Sequence, residues 1–231
     1  MNAIEFAGVV KDYHALRPLR VRDLAVAEGE IVTIGGLDLS AAEVFTGLVT
    51  GSVLPDTGAV RVFGEETSAV ESADGWLATL DRFGVVSGRV ALLDGFTVEQ
   101  NIAIPLTLEV DALPPDIVQA VRLVAARVGL APGLLGTAAG TLAPPMQFRL
   151  RLARAVAPSP RILLVEHPGG CVPAADLPSA AAAVRDVARH GRLTTIVISE
   201  DAECRRIADR QLALDPSTGI LRRVGIRKWF S

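Results

Sequence analysis

The sequence contains few cysteines, few aromatic residues and little net charge. Its 231 residues include two cysteines and 4% aromatic residues, and the formal net charge is −3. Two cysteines cannot build a disulfide framework or a zinc cluster, which indicates a reducing compartment. Because proteins that bind nucleic acid usually carry a basic surface, the slight excess of acid argues against a nucleic-acid partner. The composition therefore excludes the small disulfide-bonded class and disfavours the nucleic-acid-binding class.

The sequence also lacks a long uninterrupted apolar segment. The longest stretch without a charged residue, 128–148, contains four glycines and three prolines, which a lipid-exposed helix tolerates badly. The first twenty residues include Glu5 and have no apolar segment followed by a cleavage site, so no export signal is predicted. With 50% hydrophobic residues and a mean hydropathy of +0.38, the chain can still bury a substantial core. We therefore expect a cytoplasmic protein, with room for a peripheral association with a membrane.

Short apolar, β-branched segments alternate with helical segments along the chain. Strands are predicted at residues 4–10, 30–34, 60–63, 162–165 and 194–199. Helices are predicted at residues 41–49, 115–128, 146–156 and 180–190. This alternation is typical of an α/β fold with a mostly parallel sheet and right-handed crossovers. The stretch 111–148, rich in Ala, Leu, Pro and Gly, indicates a smaller helical insertion.

Five groups of residues occur in the order and at the spacing that are typical of one known protein family. They lie at residues 30–64, 92–106, 149–155, 160–168 and 208–210. Together they resemble the nucleotide-binding domain of ABC transporters, from Tyr13 to about Leu221. The resemblance implies one domain over residues 1–231 with a P-loop NTPase-like, mostly parallel sheet and flanking helices. It also implies an N-terminal antiparallel β portion and a helical subdomain at about residues 98–155.

The resemblance assigns the phosphate loop to residues 36–43, where the chemical groups of the family are replaced. The family pattern G-x-x-x-x-G-K-[ST] holds phosphates and Mg²⁺ with backbone amides, a lysine and a hydroxyl group. The residues registered there are Gly36, Ser40, Ala41, Ala42 and Glu43. The loop has lost its lysine and gained the carboxylates of Asp38 and Glu43, and like charges about 4 Å apart repel by ~1 kcal/mol in water. We therefore predict that binding of ATP and Mg²⁺ is weak or absent.

Positions that the resemblance assigns to the metal and the attacking water are replaced as well. Glu166 and His167 stand where the family ends its Walker B strand in Asp-Glu. Gly88 replaces the Q-loop glutamine, Pro173 the D-loop aspartate, and Glu200 the switch histidine. Glu166 can still reach a metal through water, and His167 can act as a base near neutral pH. The simpler interpretation of His167 is a side chain at a strand end without chemistry, so no catalytic residue and no metal site are predicted.

The resemblance also assigns residues to the family's signature loop and to its contact with adenine. In place of Leu-Ser-Gly-Gly-Gln the chain has Leu142, Ala143, Pro144, Pro145 and Met146. Alanine has no hydroxyl group, while proline has no N–H and fixes φ near −65°, so hydrogen-bond donors to a phosphate are removed. Tyr13 is in the register of the aromatic residue that stacks on adenine, although ordinary packing at a strand end explains it equally well.

Residues that build the fold are kept, while residues that would touch phosphate, metal or water are replaced. We interpret the chain as a non-hydrolysing structural or regulatory partner of an integral membrane permease. The docking groove is expected beside residues 88–105 and the helical insertion at 111–148. The subunit is expected at the inner face of the cell membrane, as a homodimer or as a heterodimer with another ABC ATPase subunit. The alternatives are a weakly active ATPase that uses Glu166 and His167, and a soluble regulator that binds proteins away from membranes.

Two further segments bear on membranes. Residues 101–106, together with Met146, resemble the ATPases of lipid-handling systems, including those that work with MCE proteins. The tail, residues 222–230, combines four cations with two aromatic residues. It is predicted to be a final edge strand with a packed Trp229, and the alternative is a contact with a membrane surface or a partner.

Overall fold

The computed structural model describes residues 1–69, 73–77 and 79–224, and its strands and helices alternate along most of that length. The strands are β1 (Asn2–Lys11), β2 (Leu19–Ala27), β3 (Ile31–Gly35), β4 (Thr57–Val62), β5 (Glu65–Glu66), β6 (Phe83–Val86), β7 (Ile162–Glu166), β8 (Thr194–Ile198), β9 (Arg210–Asp215) and β10 (Ile220–Arg223). The helices are α1 (Leu39–Thr50), α2 (Ala73–Leu77), α3 (Val98–Ala103), α4 (Pro115–Arg127), α5 (Pro144–Val156), α6 (Leu177–Gly191) and α7 (Ala202–Arg206). None of these described helices is long and apolar enough to cross a membrane.

The larger sheet has the described strand order β10-β9-β3-β8-β7-β6. Neighbouring strands run parallel except β10, which pairs antiparallel with β9. Every residue of β3, β7 and β8 is buried, which is the pattern of strands covered on both faces. Because the carboxyl ends of parallel strands meet at one edge, the segments that follow β3, β6, β7 and β8 lie together there.

The smaller sheet is antiparallel and has the described order β2-β1-β4-β5. Its inner face packs on α1, where the rings of Phe6 and Phe45 stack with centroids 4.9 Å apart. This core also includes inward residues of β3, β7, β8 and β9, so α1 lies between the two sheets. The antiparallel N-terminal portion and the mostly parallel sheet are both confirmed.

A helical layer covers the other face of the larger sheet. Helices α3, α4 and α5 pack against one another, and their buried residues share one apolar core with α6 and with inward residues of β6, β7 and β8. Helix α3 begins at a capping box, in which the Thr97 side chain accepts from the Gln100 amide and the Gln100 side chain accepts from the Thr97 amide. The helical insertion is therefore present, while its limits at about residues 98–155 stay a prediction.

The predicted strands and helices are found within a few residues of their predicted limits, but other described elements were missed, among them β2, β6, β9 and α3. Strands β2 and β9 carry charged residues on their outer side, and β6 and α3 are four and six residues long. The predicted edge strand at residues 222–230 overlaps only the end of β10. Residues 225–230 of that prediction, including Trp229, lie outside the described residues.

Candidate functional site

The turn between β3 and α1 is the position predicted for the phosphate loop. Gly36 has φ +84°, and a Cβ atom there would lie 2.2 Å from the Leu214 carbonyl oxygen, so glycine is required. Helix α1 then begins at Leu39, three residues before Ala42, and Asp38 is its N-cap. The connection between strand and helix is therefore short, and the exposed Ser40 already belongs to the helix.

Amides at the start of α1 form hydrogen bonds within the turn itself. The Asp38 carboxylate accepts from the Ala41 amide at 2.8 Å, and the Asp38 carbonyl accepts from the Ala42 amide at 2.8 Å. Ala42, predicted at the position of the family lysine, is fully buried. A carboxylate at the N-cap satisfies a helix donor that would otherwise be free for an anion. Asp38 therefore lowers the attraction of this helix end for phosphate.

Glu200, which follows β8, contacts the first amide of the same turn. Its carboxylate accepts a hydrogen bond from the Gly36 amide at 2.5 Å, and the Arg205 guanidinium lies 3.7 Å from the other oxygen. The contact depends on Gly35, because a Cβ atom there would lie 2.6 Å from the Glu200 carboxylate. Hydrogen bonds from an amide to a carboxylate are stronger than neutral ones. The Gly36 amide is thus satisfied by a side chain of the same protein.

A cation that the sequence analysis missed lies between two carboxylates of the site. Arg89 follows β6, and its Nη1 atom lies 2.8 Å from Glu43 Oε1. Its Nη2 atom lies 2.9 and 2.7 Å from the two oxygens of Glu166, whose side chain is 4% exposed. Glu43 and Glu166 are the residues predicted at the positions of the family's magnesium-binding hydroxyl and carboxylate. One guanidinium therefore bridges the start of α1 and the end of β7.

These contacts add to the charge predicted for the site. The predicted loop has no lysine, but Arg89 supplies a cation to the site from another segment. Glu43, expected as one of the carboxylates in the phosphate position, turns to Arg89 instead, and Glu200 is the carboxylate that reaches Gly36. Arg89 is adjacent to Gly88, the predicted Q-loop position, and this adjacency was the signal that could have identified it.

Two side chains that follow β7 in the chain, His167 and Cys171, come shortly after Glu166. His167 has a left-handed backbone with φ +44°, and within the described residues its buried Nε2 atom has no hydrogen-bond partner. Burial, and to a smaller extent the Glu166 carboxylate, raises the pKa of the Cys171 thiol. A Cβ atom at Gly88, the predicted Q-loop position, would lie 3.5 Å from that sulfur, which is ordinary van der Waals contact.

The predicted signature loop lies at the start of α5. Ala143 is the N-cap and makes no side-chain hydrogen bond, and Pro144 and Pro145 begin the helix. Proline is favourable at this helix start because the first N–H groups have no partner within the helix. With Ala143, Pro144 and Pro145 in place of the family's Ser-Gly-Gly, this loop has no hydroxyl group and lacks two amide donors. Leu142 is buried, and Met146 packs on the helical core.

Two other predicted positions lie at the margins of the site. Tyr13 follows β1 and is half-buried against the core, and burial with the nearby Asp38 carboxylate raises the pKa of its phenol. Pro173, at the predicted D-loop aspartate, is exposed in the turn that precedes α6. Neither residue joins the bridge of Arg89.

A groove of about 540 Å³ runs from the bridge along the seam between the sheet and the helical layer. Its walls are mainly apolar, and Glu43 and Arg89 lie among the residues that line it. Arg151 and Arg154 of α5 also line it, and they donate to the Val90 and Ala91 carbonyls at 3.3 and 2.7 Å. Burial, and then the neighbouring Arg151, lowers the pKa of Arg154. Within residues 1–69, 73–77 and 79–224 neither arginine forms an ion pair.

The strand order, the turn after β3 and the helical layer define the fold of an ATP-binding cassette. A solved structure described as a dimeric bacterial ABC transporter cassette, MJ0796, superposes with a TM-score of 0.77 over 91% of this chain and 94% of that chain, at 20% identity. At that identity the superposition establishes the fold.

The sequence comparison establishes the family. No family model matches the chain. The chain is 31% identical over 212 residues to the lipoprotein-releasing system ATP-binding protein LolD of Anaeromyxobacter dehalogenans, covering 90% of this chain and 87% of that protein. It is 26% identical over 191 residues to the ABC transporter ATP-binding protein YtrE of Bacillus subtilis, covering 83% and 82%. The chain belongs to the family of ABC transporter ATP-binding subunits.

Proposed function

We propose that this protein is a non-hydrolysing subunit of an ABC transporter complex that supports a membrane permease without using ATP. The observation that carries the proposal is that the chain's own side chains occupy the contacts Mg·ATP would make. Glu200 binds the Gly36 amide, and Arg89 binds both Glu43 and Glu166. The residues present therefore do not fit Mg·ATP held in the family's manner.

Electrostatics argue in the same direction. A triphosphate at the β3–α1 turn would meet the carboxylates of Asp38 and Glu200, and Ala42 offers no cation in return. Two unit charges about 4 Å apart interact by ~4 kcal/mol near a protein surface, so each carboxylate opposes binding substantially. Across a dimer, the loop of Ala143, Pro144 and Pro145 would offer fewer donors to a nucleotide held by the other subunit.

The groove supports the second half of the proposal, a permease partner. It is open and mainly apolar, and such grooves bind amphipathic helices. Arg151 and Arg154 make the wall positive, so we expect an acidic side chain on the helix that docks. Binding to an integral membrane permease would hold this subunit at the cytoplasmic face of the membrane. A homodimer and a heterodimer with another ABC ATPase subunit are both consistent with the proposal.

A weakly active ATPase is the second candidate, and one observation favours it. His167 stands where the family has its catalytic glutamate, and its Nε2 atom is buried and unpaired within the described part of the chain. A neutral imidazole with an unbonded nitrogen can accept a proton from water. Against this candidate, the adjacent Glu166 is already bound to Arg89.

Two finer possibilities depend on the partner. A soluble regulator would use the same groove for a protein that is not in a membrane. A lipid-handling transporter is suggested by residues 101–106 and Met146, and the name of the relative LolD refers to lipoprotein release. Both are distinguished by where the subunit is found in the cell and by which permease retains it.

The test is membrane fractionation of cells that produce the tagged chain with and without the neighbouring permease gene product. We expect the chain in the membrane fraction only with the permease, and we expect Ser52→Glu or Pro105→Glu in the groove to release it. Leu123→Glu, at an exposed position of α4 outside the groove, is the matched control and should be retained. A chain that stays out of membranes in both cases would favour the soluble regulator. ATP turnover that disappears in His167→Ala would favour the weak ATPase.

A further inference from the structure

The bridge between Glu43, Arg89 and Glu166 joins three segments that are distant in sequence. Arg89 lies in the turn after β6, Glu43 in the first turns of α1, and Glu166 at the end of β7. The carboxylate of Glu166 is almost fully buried, whereas Glu43 is exposed at 58% of its side chain. A buried carboxylate requires a cation or several donors, and Arg89 is the cation that meets it.

The charges of the bridge are arranged like those of a metal site. Carboxylate oxygens from two elements converge on one positive centre, as they do around Mg²⁺ or Mn²⁺. A guanidinium is planar, stays charged at all accessible pH values and offers several donors, so it can hold two carboxylates at once. It differs from a divalent ion because its charge is single and it is covalently attached to the chain.

We propose that the guanidinium of Arg89 is the resident cation of this site: it holds Glu43 and Glu166 together in place of a divalent metal ion and thereby excludes Mg²⁺. The inference rests on the proposed function, since it concerns the site that in this family handles Mg·ATP. Arg89 acts as a positioning residue, because it reaches no substrate and fixes two other side chains.

The segment that carries Arg89 is held from its other side as well. The Arg89 amide donates to the Ser87 hydroxyl at 3.2 Å, and α5 binds the next two carbonyls through Arg151 and Arg154. Arg89 therefore lies at one end of the docking groove. Its ion pairs connect the groove segment that carries it to α1 and β7.

The experiment is a Mn²⁺ titration of the full chain without nucleotide, followed by the electron paramagnetic resonance signal of free Mn²⁺. The variants are Arg89→Met, which keeps the apolar stem, and Arg89→Met with Glu166→Gln, which also removes the buried charge. Arg122→Met on the exposed face of α4 is the matched control. We expect Arg89→Met to bind one Mn²⁺ at least about tenfold more tightly than the wild type, and the double variant and the control to match the wild type.

A second measurement decides the matter if Arg89→Met does not fold. In the wild type, contact with two carboxylates restricts rotation of the guanidinium, so NMR should resolve separate Nη proton signals for Arg89. These signals should merge when Glu43 and Glu166 are both changed to Gln. Merged signals in the wild type would overturn the inference, as would a folded Arg89→Met that binds Mn²⁺ no better than the wild type.

The outcome is separable from the outcome for the proposed function. Because the titration contains no nucleotide, Mn²⁺ binding by the wild type that matches Arg89→Met would refute the resident cation and leave the absence of ATP turnover untouched. Mg-dependent ATP turnover by the wild type, measured in parallel, would refute the proposed function whatever the Mn²⁺ titration gives.

Discussion

Arg89 and Glu166 form an ion pair with unequal exposure, in which Glu166 is 4% exposed and Arg89 is 44% exposed. The buried partner depends on the exposed one, because Glu166 loses its cation if Arg89 is removed. Arg89 has a second contact, Glu43, on the solvent side of the bridge. We therefore expect the loss of Arg89 to lower the free energy of unfolding much more than a change at Glu43.

The first prediction concerns this difference. Arg89→Ala should lower the free energy of unfolding by about 3 kcal/mol, because it leaves a buried carboxylate without a partner. Glu43→Gln should cost less than about 1 kcal/mol, because the contact it removes is largely exposed. Urea unfolding of both variants measures the two values. Adding Glu166→Gln to Arg89→Ala should recover most of the loss, and equal costs for Arg89→Ala and Glu43→Gln would contradict the buried pair.

The second prediction concerns Asp38 as the N-cap of α1. Asp38→Ala should destabilise the protein by about 1 kcal/mol, because the Ala41 amide loses its acceptor. Asp38→Asn keeps an oxygen acceptor at the cap and is the matched control, with an expected cost of a few tenths of a kcal/mol. Thermal and urea unfolding measure both. If Asp38→Ala is as stable as the wild type, the carboxylate does not satisfy the helix end.

The third prediction separates space from backbone conformation at two glycines. Gly36 and Gly64 have similar φ angles, +84° and +86°, but only Gly36 is crowded, since its Cβ atom would lie 2.2 Å from the Leu214 carbonyl oxygen. Gly64→Ala should cost about 1 kcal/mol for the left-handed backbone alone. Gly36→Ala should cost about 3 kcal/mol or more, because the backbone of β9 must also move. Comparable unfolding energies for the two variants would show that the turn is looser than described.

The fourth prediction concerns the buried thiol of Cys204. Burial is the largest cause that raises the pKa of this thiol, to about 11. An unfolded chain ionises it near the ordinary value of 9.0, so the contribution to stability is complete below pH about 9 and is lost as the pH rises towards 11. In a Cys171→Ala background, Cys204 should resist alkylation at pH 8 until the protein unfolds. Rapid alkylation of the native protein, or a pH profile unchanged by Cys204→Ala between pH 9 and 11, would contradict this.

The sequence predicted the periodic elements of the fold because their signal is local. The strands at residues 162–165 and 194–199 are apolar, β-branched runs, and the helix at residues 146–156 has an apolar face. Strand β6 was missed because four residues that include a glycine give almost no periodic signal. That glycine, Gly84, is needed because a Cβ atom there would lie 2.3 Å from the Ala155 carbonyl oxygen.

The family pattern assigned residues to the candidate site but could not give the contacts between them. The replaced residues of the phosphate loop could be read from the chain, because each occupies a fixed place in the family pattern. The partners of Glu166 and Gly36 could not, since Arg89 is 77 residues from the first and Glu200 is 164 residues from the second. Which side chain reaches across the sheet edge depends on strand order and on rotamers, and neither is encoded in local sequence.

The affinity of the wild-type chain for nucleotide is the most direct test of the proposed function. The measurement is equilibrium binding of a fluorescent ATP analogue in the presence of Mg²⁺, followed by fluorescence anisotropy. We predict no saturable binding up to millimolar concentrations, because Glu200 and Arg89 occupy the contacts that a triphosphate and its metal require. Saturable, Mg-dependent binding with a micromolar Kd, lost when unlabelled ATP competes, would contradict the account.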